Sequence, residues 1–406
     1  MDQTFSQRCC FILIVYNDMG LKLSVLDQTP IRKGNEAKDA LEESIELAKL
    51  TDRLGYTRYW ISEHHNTLML AAAAPEVFLA RIGAETRNIR LGSGGIMLPN
   101  HSSLKVAENF RLLEALYPGR IDLGIGRAPG GDRATSELLN PSNQFDPAAY
   151  VEQVREISDF MTETPTPHNM SGKIRAIPSI DSMPELWVLT SSGESALLAG
   201  HFGTGLSYAQ FINPLGGPEA IRIYRERFRP SVHGQAPKTN VGIFVFCSTN
   251  EEKVEQAKSL FDYRFLSFER GDVNRLYSYE DIRDYQYNSA EKQRLAYHRN
   301  RYIAGTPDVV KEKINSLAEV FHTDEIVIST FADKREDRLL SYELLADIFL
   351  MSGYGTQRTP RTIKYTTLWP LCIPCGRCDL KFRAVETVTK NEGKRMALFK
   401  SAGKAI

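Results

Sequence analysis

Cysteine is scarce in this chain of 406 residues: there are six, and between residues 11 and 371 only Cys247. So sparse a set cannot staple the body of the chain with disulfides, and a reducing, cytosolic compartment is the expectation. Long apolar runs are lacking as well. The segment Phe11–Val15 falls far short of the roughly 20 residues that span a bilayer, so no transmembrane helix and no membrane partner are expected. A lone Arg8 before that segment and Tyr16-Asn17-Asp18 after it do not make a secretion signal. Nor does one sign of charge dominate. The chain has 50 Lys and Arg against 50 Asp and Glu, which argues against a strongly basic nucleic-acid-binding protein. With 25% charged and 42% hydrophobic residues the composition is globular rather than disordered. The charge is nevertheless unevenly spread: residues 351–406 carry 11 basic and 3 acidic residues, residues 1–350 carry 39 and 47.

What is present is a repeat of short apolar runs alternating with helical patterns, the signature of βα units around a parallel sheet. Eight strands are predicted: Lys22–Asp27, Tyr59–Ser62, Ile89–Ile96, Ile121–Ile125, Leu186–Thr190, Thr204–Tyr208, Val241–Cys247 and Glu325–Thr330. A helix is expected over Ala40–Leu54, with Leu41, Ile45, Ala48 and Leu54 on its apolar face and Gly55 at its end. Two more helices open on proline at Pro75 and, after Thr306, at Pro307. Eight such units in about 330 residues suit a TIM (β/α)8 barrel with insertions at its C-terminal face better than a doubly wound sheet. Two long connections, Ala128–Pro147 and the polar, aromatic-rich stretch from about Asn250 to Asn300, read as lids or binding loops. The pattern begins just after residue 18 and stops near Phe349. Residues 19–350 are therefore expected to hold the fold, with 1–18 an extension outside it and 351–406 a basic, poorly packed or disordered tail.

A barrel carries its chemistry where strands end, and four of these ends are unusual. The second leads into Glu63-His64-His65-Asn66, where imidazoles could act as acid or base. Surface or hydrogen-bonded histidines would be the better account of the pair taken alone. Zinc is unattractive, since neighbouring side chains at a strand end point apart and no suitably spaced carboxylate accompanies them. The third strand runs through Gly94-Gly95 to His101, and such glycines mark either a barrel bend or a place where a ligand meets backbone. The fourth ends in Gly124-Ile125-Gly126-Arg127, followed by Pro129 where a dinucleotide fingerprint needs its third glycine, so a Rossmann reading fails. Arg127 itself could clamp a phosphate. The fifth leads into Ser191-Ser192-Gly193-Glu194-Ser195 at a helix start, a donor-rich setting for an anion, although ordinary capping by Ser191 or Ser192 would also explain the hydroxyls.

Several long segments, in order, resemble the bacterial-luciferase-like family of flavin-dependent monooxygenases: SVLDQTPI from Ser24, WISEHHN from Trp60, APEVFLARI from Ala74, RLGSGGIMLPNHS from Arg90, LEALYPGRIDLGIGRAPGGD from Leu113, SSGESALLA from Ser191 and SYELLADIF from Ser341. The resemblance spans about Leu21 to Phe349. It implies a TIM barrel that binds reduced FMN at its mouth, adds dioxygen at the flavin C4a position, and oxidises a small, apolar, carbonyl-type substrate through the resulting hydroperoxide. It makes His64 the catalytic histidine, with Glu63 and His65 beside it and Asn66 and His101 in support. Arg127, Ser191, Ser192, Gly193 and Ser195 would surround the flavin phosphate, and Gly94-Gly95 would match a non-prolyl cis peptide under the ring. Gly126 stands where light-emitting relatives carry cysteine, so luminescence is not implied. A separate NAD(P)H-dependent flavin reductase is the expected partner, and a homodimer is left open. The same resemblance also admits a hydride-transferring enzyme using FMN or a deazaflavin, or a non-catalytic flavin-binding subunit.

Residues 1–18 and 351–406 lie outside the resemblance. The tail holds Cys372, Cys375 and Cys378, one ligand short of a four-ligand metal site and without a histidine, so no metal is expected.

Overall fold

Runs of β-branched and aliphatic residues too short for a helix form the strands, and every strand pairing runs parallel. The computed structural model describes residues 20–142, 146–162, 174–272 and 274–350, all within one compact unit. The strands are β1 (Lys22–Asp27), β2 (Arg58–Ile61), β3 (Arg90–Ser93), β4 (Ile96–Met97), β5 (Ile121–Gly126), β6 (Glu185–Thr190), β7 (Gly205–Ala209), β8 (Thr239–Cys247), β9 (Tyr302–Gly305) and β10 (Glu325–Ser329). The order is β10-β1-β2-β3-β5-β6-β7-β8, with β4 continuing β3 along β5, and pairing of Ile243 with Ile328 closes β8 onto β10. The result is the expected eight-stranded TIM barrel.

The first helices are α1 (Ala37–Leu54), α2 (Pro75–Gly83), α3 (Ser103–Leu116), α4 (Arg133–Leu139), α5 (Pro147–Thr162) and α6 (Gly193–Phe202). The rest are α7 (Gly217–Arg227), α8 (Glu251–Glu269), α9 (Tyr279–Ile282), α10 (Ser289–His298), α11 (Pro307–Phe321) and α12 (Arg335–Phe349). Prolines 75 and 307 open α2 and α11, where the missing N–H costs nothing. Among the described residues no helix is long and apolar enough to cross a membrane.

The structure departs from the expected elements in several places. The strand expected over Ile89–Ile96 is broken at a cis Gly94-Gly95 peptide into β3 and β4. From Gly92 to Ile96 the chain advances four residues while its partner β5 advances three, from Asp122 to Ile125, so one residue is bulged out. In α1 the buried face is Ala40, Glu43, Ser44, Leu47, Ala48, Leu50 and Thr51, whereas Leu41, Ile45 and Leu54 are only partly covered. The face is rotated because its polar members find partners: Arg338 bonds Glu43 at 3.0 Å and the Thr51 hydroxyl donates to Leu47 O at 2.9 Å. Finally, the stretch after Asn250 is not an open loop. Asn250 caps α8 by accepting from the Lys253 N–H at 3.2 Å, and Val254, Ala257, Phe261 and Phe265 form one helical face. That face packs on Phe244, Phe246 and Tyr302, and the chain returns along β8 as the unexpected strand β9. The Ala128–Pro147 connection likewise contains α4, capped by Asp132.

The N-terminal end of the barrel is filled by charge in pairs. Arg58 bonds Asp122 at 2.8 Å and Glu325 at 2.7 Å, while Arg90 and the Trp60 indole N–H also reach Asp122. Toward the other end the interior turns apolar, with Leu26, Trp60, Trp187 and Val327 in one cluster. Leu189 and Phe211 pack on that cluster and border the cleft described next. The expected extensions at 1–18 and 351–406, including the three tail cysteines, lie outside the described residues.

Candidate active site

Alternation along a strand sends successive side chains to opposite sides, and the end of β2 uses this to build two different environments. Glu63 is fully buried. One of its carboxylate oxygens accepts from His65 Nε2 and from His101 Nε2, each at 2.8 Å, and the other from the Met97 N–H at 2.9 Å. Burial by itself would raise the Glu63 pKa, but the bonds from His101 and His65 pull it down to about 2. The same contact holds His101 above its ordinary value against the effect of burial.

His64 faces the other way. Its Nδ1 lies 3.0 Å from the Ser62 hydroxyl, and its Nε2 has no hydrogen-bond partner among the described residues. Burial lowers its pKa to about 4, with Glu63 opposing, so the imidazole is neutral at neutral pH. The loop after β5 is stitched to this corner. The His65 N–H donates to Gly130 O at 3.0 Å, Asn100 to Pro129 O at 2.8 Å, and Asn66 to Asp132 at 2.8 Å. Asn66 occupies the left-handed region at φ 49°, which asparagine tolerates better than most residues.

These loops enclose a cleft of about 600 Å³ at the C-terminal mouth of the barrel. Glu63, His64, Gly94, Arg127, Ser191, Ser192 and Ser195 line it. Gly95, Gly193, His65, Asn66 and His101 are not among its lining residues. Leu26, Met97, Pro99, Leu189, Phe211 and Ile212 give the cleft a largely apolar surface.

At the β5–β6 end the cleft becomes polar. Arg127 donates to Glu194 at 2.8 Å, a pair whose carboxylate side chain is 75% exposed. Ser192 is the N-cap of α6, yet its side chain makes no capping bond. The Thr190 hydroxyl instead holds the Ser192 backbone, accepting from its N–H at 2.9 Å and donating to its carbonyl at 2.7 Å. The first-turn amides of α6 therefore keep donor capacity that a capping serine would use. Tyr150, 3% exposed on α5, brings a buried hydroxyl to the same cleft with no partner among the described residues. Burial pushes its pKa up and keeps it a neutral donor.

Strand-end reasoning missed Tyr150, together with Gln28, Met97, Gln153 and Phe211. Gln28, directly after β1, was within reach of that reasoning, but Tyr150 and Gln153 sit on a helix beyond a long connection and carry no local signal. Among the described residues no group of His, Cys, Asp and Glu is placed to hold a metal ion.

The profile of a family described as luciferase-like monooxygenase matches residues 21–323. Over 330 residues, 81% of this chain and 99% of the relative, the chain is 43% identical to the uncharacterized protein YwcH of Bacillus subtilis. It is 35% identical to the N-acetyl-S-alkylcysteine monooxygenase of Bacillus subtilis over 81% of this chain and 98% of that protein. The crystal structure of apo-MsnO8 superposes with a TM-score of 0.74 at 34% identity, covering 81% of this chain and 98% of that one.

Proposed function

Because this chain belongs to the luciferase-like monooxygenase family of oxidoreductases, we propose that it uses reduced FMN and dioxygen to oxidise a small, mainly apolar organic molecule. The observation that carries the proposal is the polar end of the cleft. An uncapped helix start, Ser195, Arg127 and the unpartnered Tyr150 hydroxyl converge there, opposite a neutral His64. A phosphate suits this donor set, since helix amides and a guanidinium both favour a multiply charged oxyanion. Binding there would displace Glu194 from Arg127, a small cost for so exposed a pair.

When bound, the reduced flavin supplies the activation of dioxygen. The chain supplies the rest. Arg127, Ser191, Ser192 and Ser195, with Gly193 offering backbone, hold the phosphate, and Gly94 presents backbone to the ring at a point where a Cβ would press back on Leu26 at 2.6 Å and Trp60 at 3.0 Å. His64 manages a proton at Nε2, oriented through Nδ1 by Ser62. Glu63 acts one step back by fixing His65, His101 and the backbone at Met97. The apolar lining keeps water from the reacting atoms. Carbonyl compounds fit such a lining, and the S-alkylcysteine named for one relative adds small thioethers to the candidates.

No nicotinamide fingerprint is present, so reduced flavin is proposed to arrive from a separate NAD(P)H-dependent reductase. The decisive experiment loads the protein with FMN, reduces it without air, and mixes it with dioxygen and candidate substrates in a stopped-flow instrument. Product that appears only with dioxygen supports the proposal. Equal turnover without dioxygen would point instead to hydride transfer.

A further inference from the structure

We infer that Arg301 is a positioning residue for the cleft: it ties the α8–α10 excursion to the wall residue Phe211 and thereby sets the shape of the site. The inference rests on reading this cleft as the reactive one.

Phe211 is a junction. Its ring packs both on the interior cluster of Leu26, Trp60, Trp187 and Val327 and on the excursion's own aromatic core. Its centroid lies 5.1 Å from that of Phe244, and the ring covers Gly242 so closely that a Cβ there would come within 2.7 Å of it. The position of Phe211 therefore decides how the cleft wall meets the excursion.

Two backbone bonds hold it. Its N–H donates to Gly242 O of β8 at 3.2 Å, and its carbonyl accepts from Arg301 Nε at 2.6 Å. The first bond is to the barrel, the second to the excursion. Arg301 in turn is oriented entirely by excursion residues. Its guanidinium carbon lies 4.1 Å from the centroid of the Phe265 ring, and Nη1 sits 3.1 Å from His298 Nδ1. His298 is fully buried, stacks on Phe265 with its Nε2 3.1 Å from Glu269, and so links α10 to α8. Next to it, Asn300 O accepts a longer bond of 3.4 Å from Gln210. A planar guanidinium fixed by stacking delivers a charge-assisted bond in one direction, which lysine cannot reproduce.

Hydrogen exchange followed by mass spectrometry, and iodide quenching of bound FMN, separate this role from general support of the fold. In Arg301→Ala, exchange at residues 209–215 should rise about tenfold, the consequence of losing one charge-assisted bond, while β1, β2 and β5 stay protected. Iodide should reach bound FMN more readily. Should the alanine variant fail to fold, Arg301→Lys keeps a cation near Phe265 without the directed Nε donor and should show both changes in smaller degree. Arg270→Ala, which breaks a half-exposed pair with Glu291 within the excursion, should leave 209–215 unchanged. Unaltered exchange at 209–215 in the Arg301 variants, or a rise spread evenly over the barrel, would overturn the inference. Failure of the unmodified protein to bind FMN would instead defeat the proposed function, leaving the exchange result to stand by itself.

Discussion

His64 and its neighbour Glu63 show how burial and partnership divide adjacent ionisable residues. Glu63 is buried with partners and stays charged, whereas His64 is half-buried at the cleft without a charge-bearing bond and stays neutral. The sign of the pH effect follows. A histidine held near pKa 4 binds fewer protons than in the unfolded chain, where the value is about 6.5. Its contribution to stability is whole above pH 6.5 and is lost as the pH falls toward 4. The melting temperature of His64→Asn should therefore decline less steeply across that interval than that of the unmodified protein, as calorimetry can measure. His64→Ala should keep flavin affinity but lower substrate oxidation about 10²-fold, the low end for losing general acid–base help. Unchanged turnover would remove His64 from the mechanism. At the other end of the cleft, Arg127→Ala should weaken FMN by about 1.5 to 3 kcal/mol while sparing riboflavin, which lacks the phosphate. Equal losses for the two ligands in fluorescence titrations would count against the phosphate assignment.

At the level of elements, the glycines between β3 and β5 matter more than their propensity suggests. A Cβ on Gly124 would stand 2.1 Å from Ser93 O, and one on Gly95 would stand 2.8 Å from Gly124 O. Both obstructions are backbone, so no rotamer change relieves them. Gly124→Ala should destabilise the protein by about 3 kcal/mol, the upper range for overpacking, and should also weaken FMN, because the displaced segment carries Gly94 at the cleft. Urea unfolding and flavin titration on one sample test both parts. The neighbouring Gly126→Ala meets only the flexible end of Met97, at 3.2 Å, and should be far milder.

For the whole molecule, the barrel's strands, their closure and both ends of the cleft lie within residues 20–350. A chain cut to those residues should unfold in one cooperative step and bind FMN as the full chain does. Loss of cooperativity, or zinc or iron in stoichiometric amount in the full chain alone, would assign the terminal segments a structural or metal-binding part. Acid should unfold the barrel through its paired interior carboxylates. Asp27 and Glu43 titrate below their ordinary values despite burial, held by Arg338 and by Arg32 with Arg338. Their contribution persists above the unfolded carboxylate range near pH 4 and disappears as the pH falls below it.

The barrel was legible in the order of the apolar runs, because parallel strands buried on both faces must be continuously hydrophobic and their helices must carry a 3.6-residue period. The cleft's location was legible too, since histidines, glycines and serines cluster at strand ends where a barrel collects its chemistry. Beyond that, local pattern was silent. It could not choose between His64 and His65 for the cleft, because the choice depends on which imidazole Glu63 engages with His101, 38 residues from it in sequence. It misplaced the buried face of α1, because Glu43 is buried with partners outside the helix, Arg32 and, 295 residues away, Arg338. It gave no sign of Tyr150 at the cleft or of Arg301 behind Phe211. Periodicity and motif spacing act over a few residues and determine what each element is. Partners for buried polar groups are found across the fold, and only the tertiary structure decides which side chains face the cleft and which hold them there.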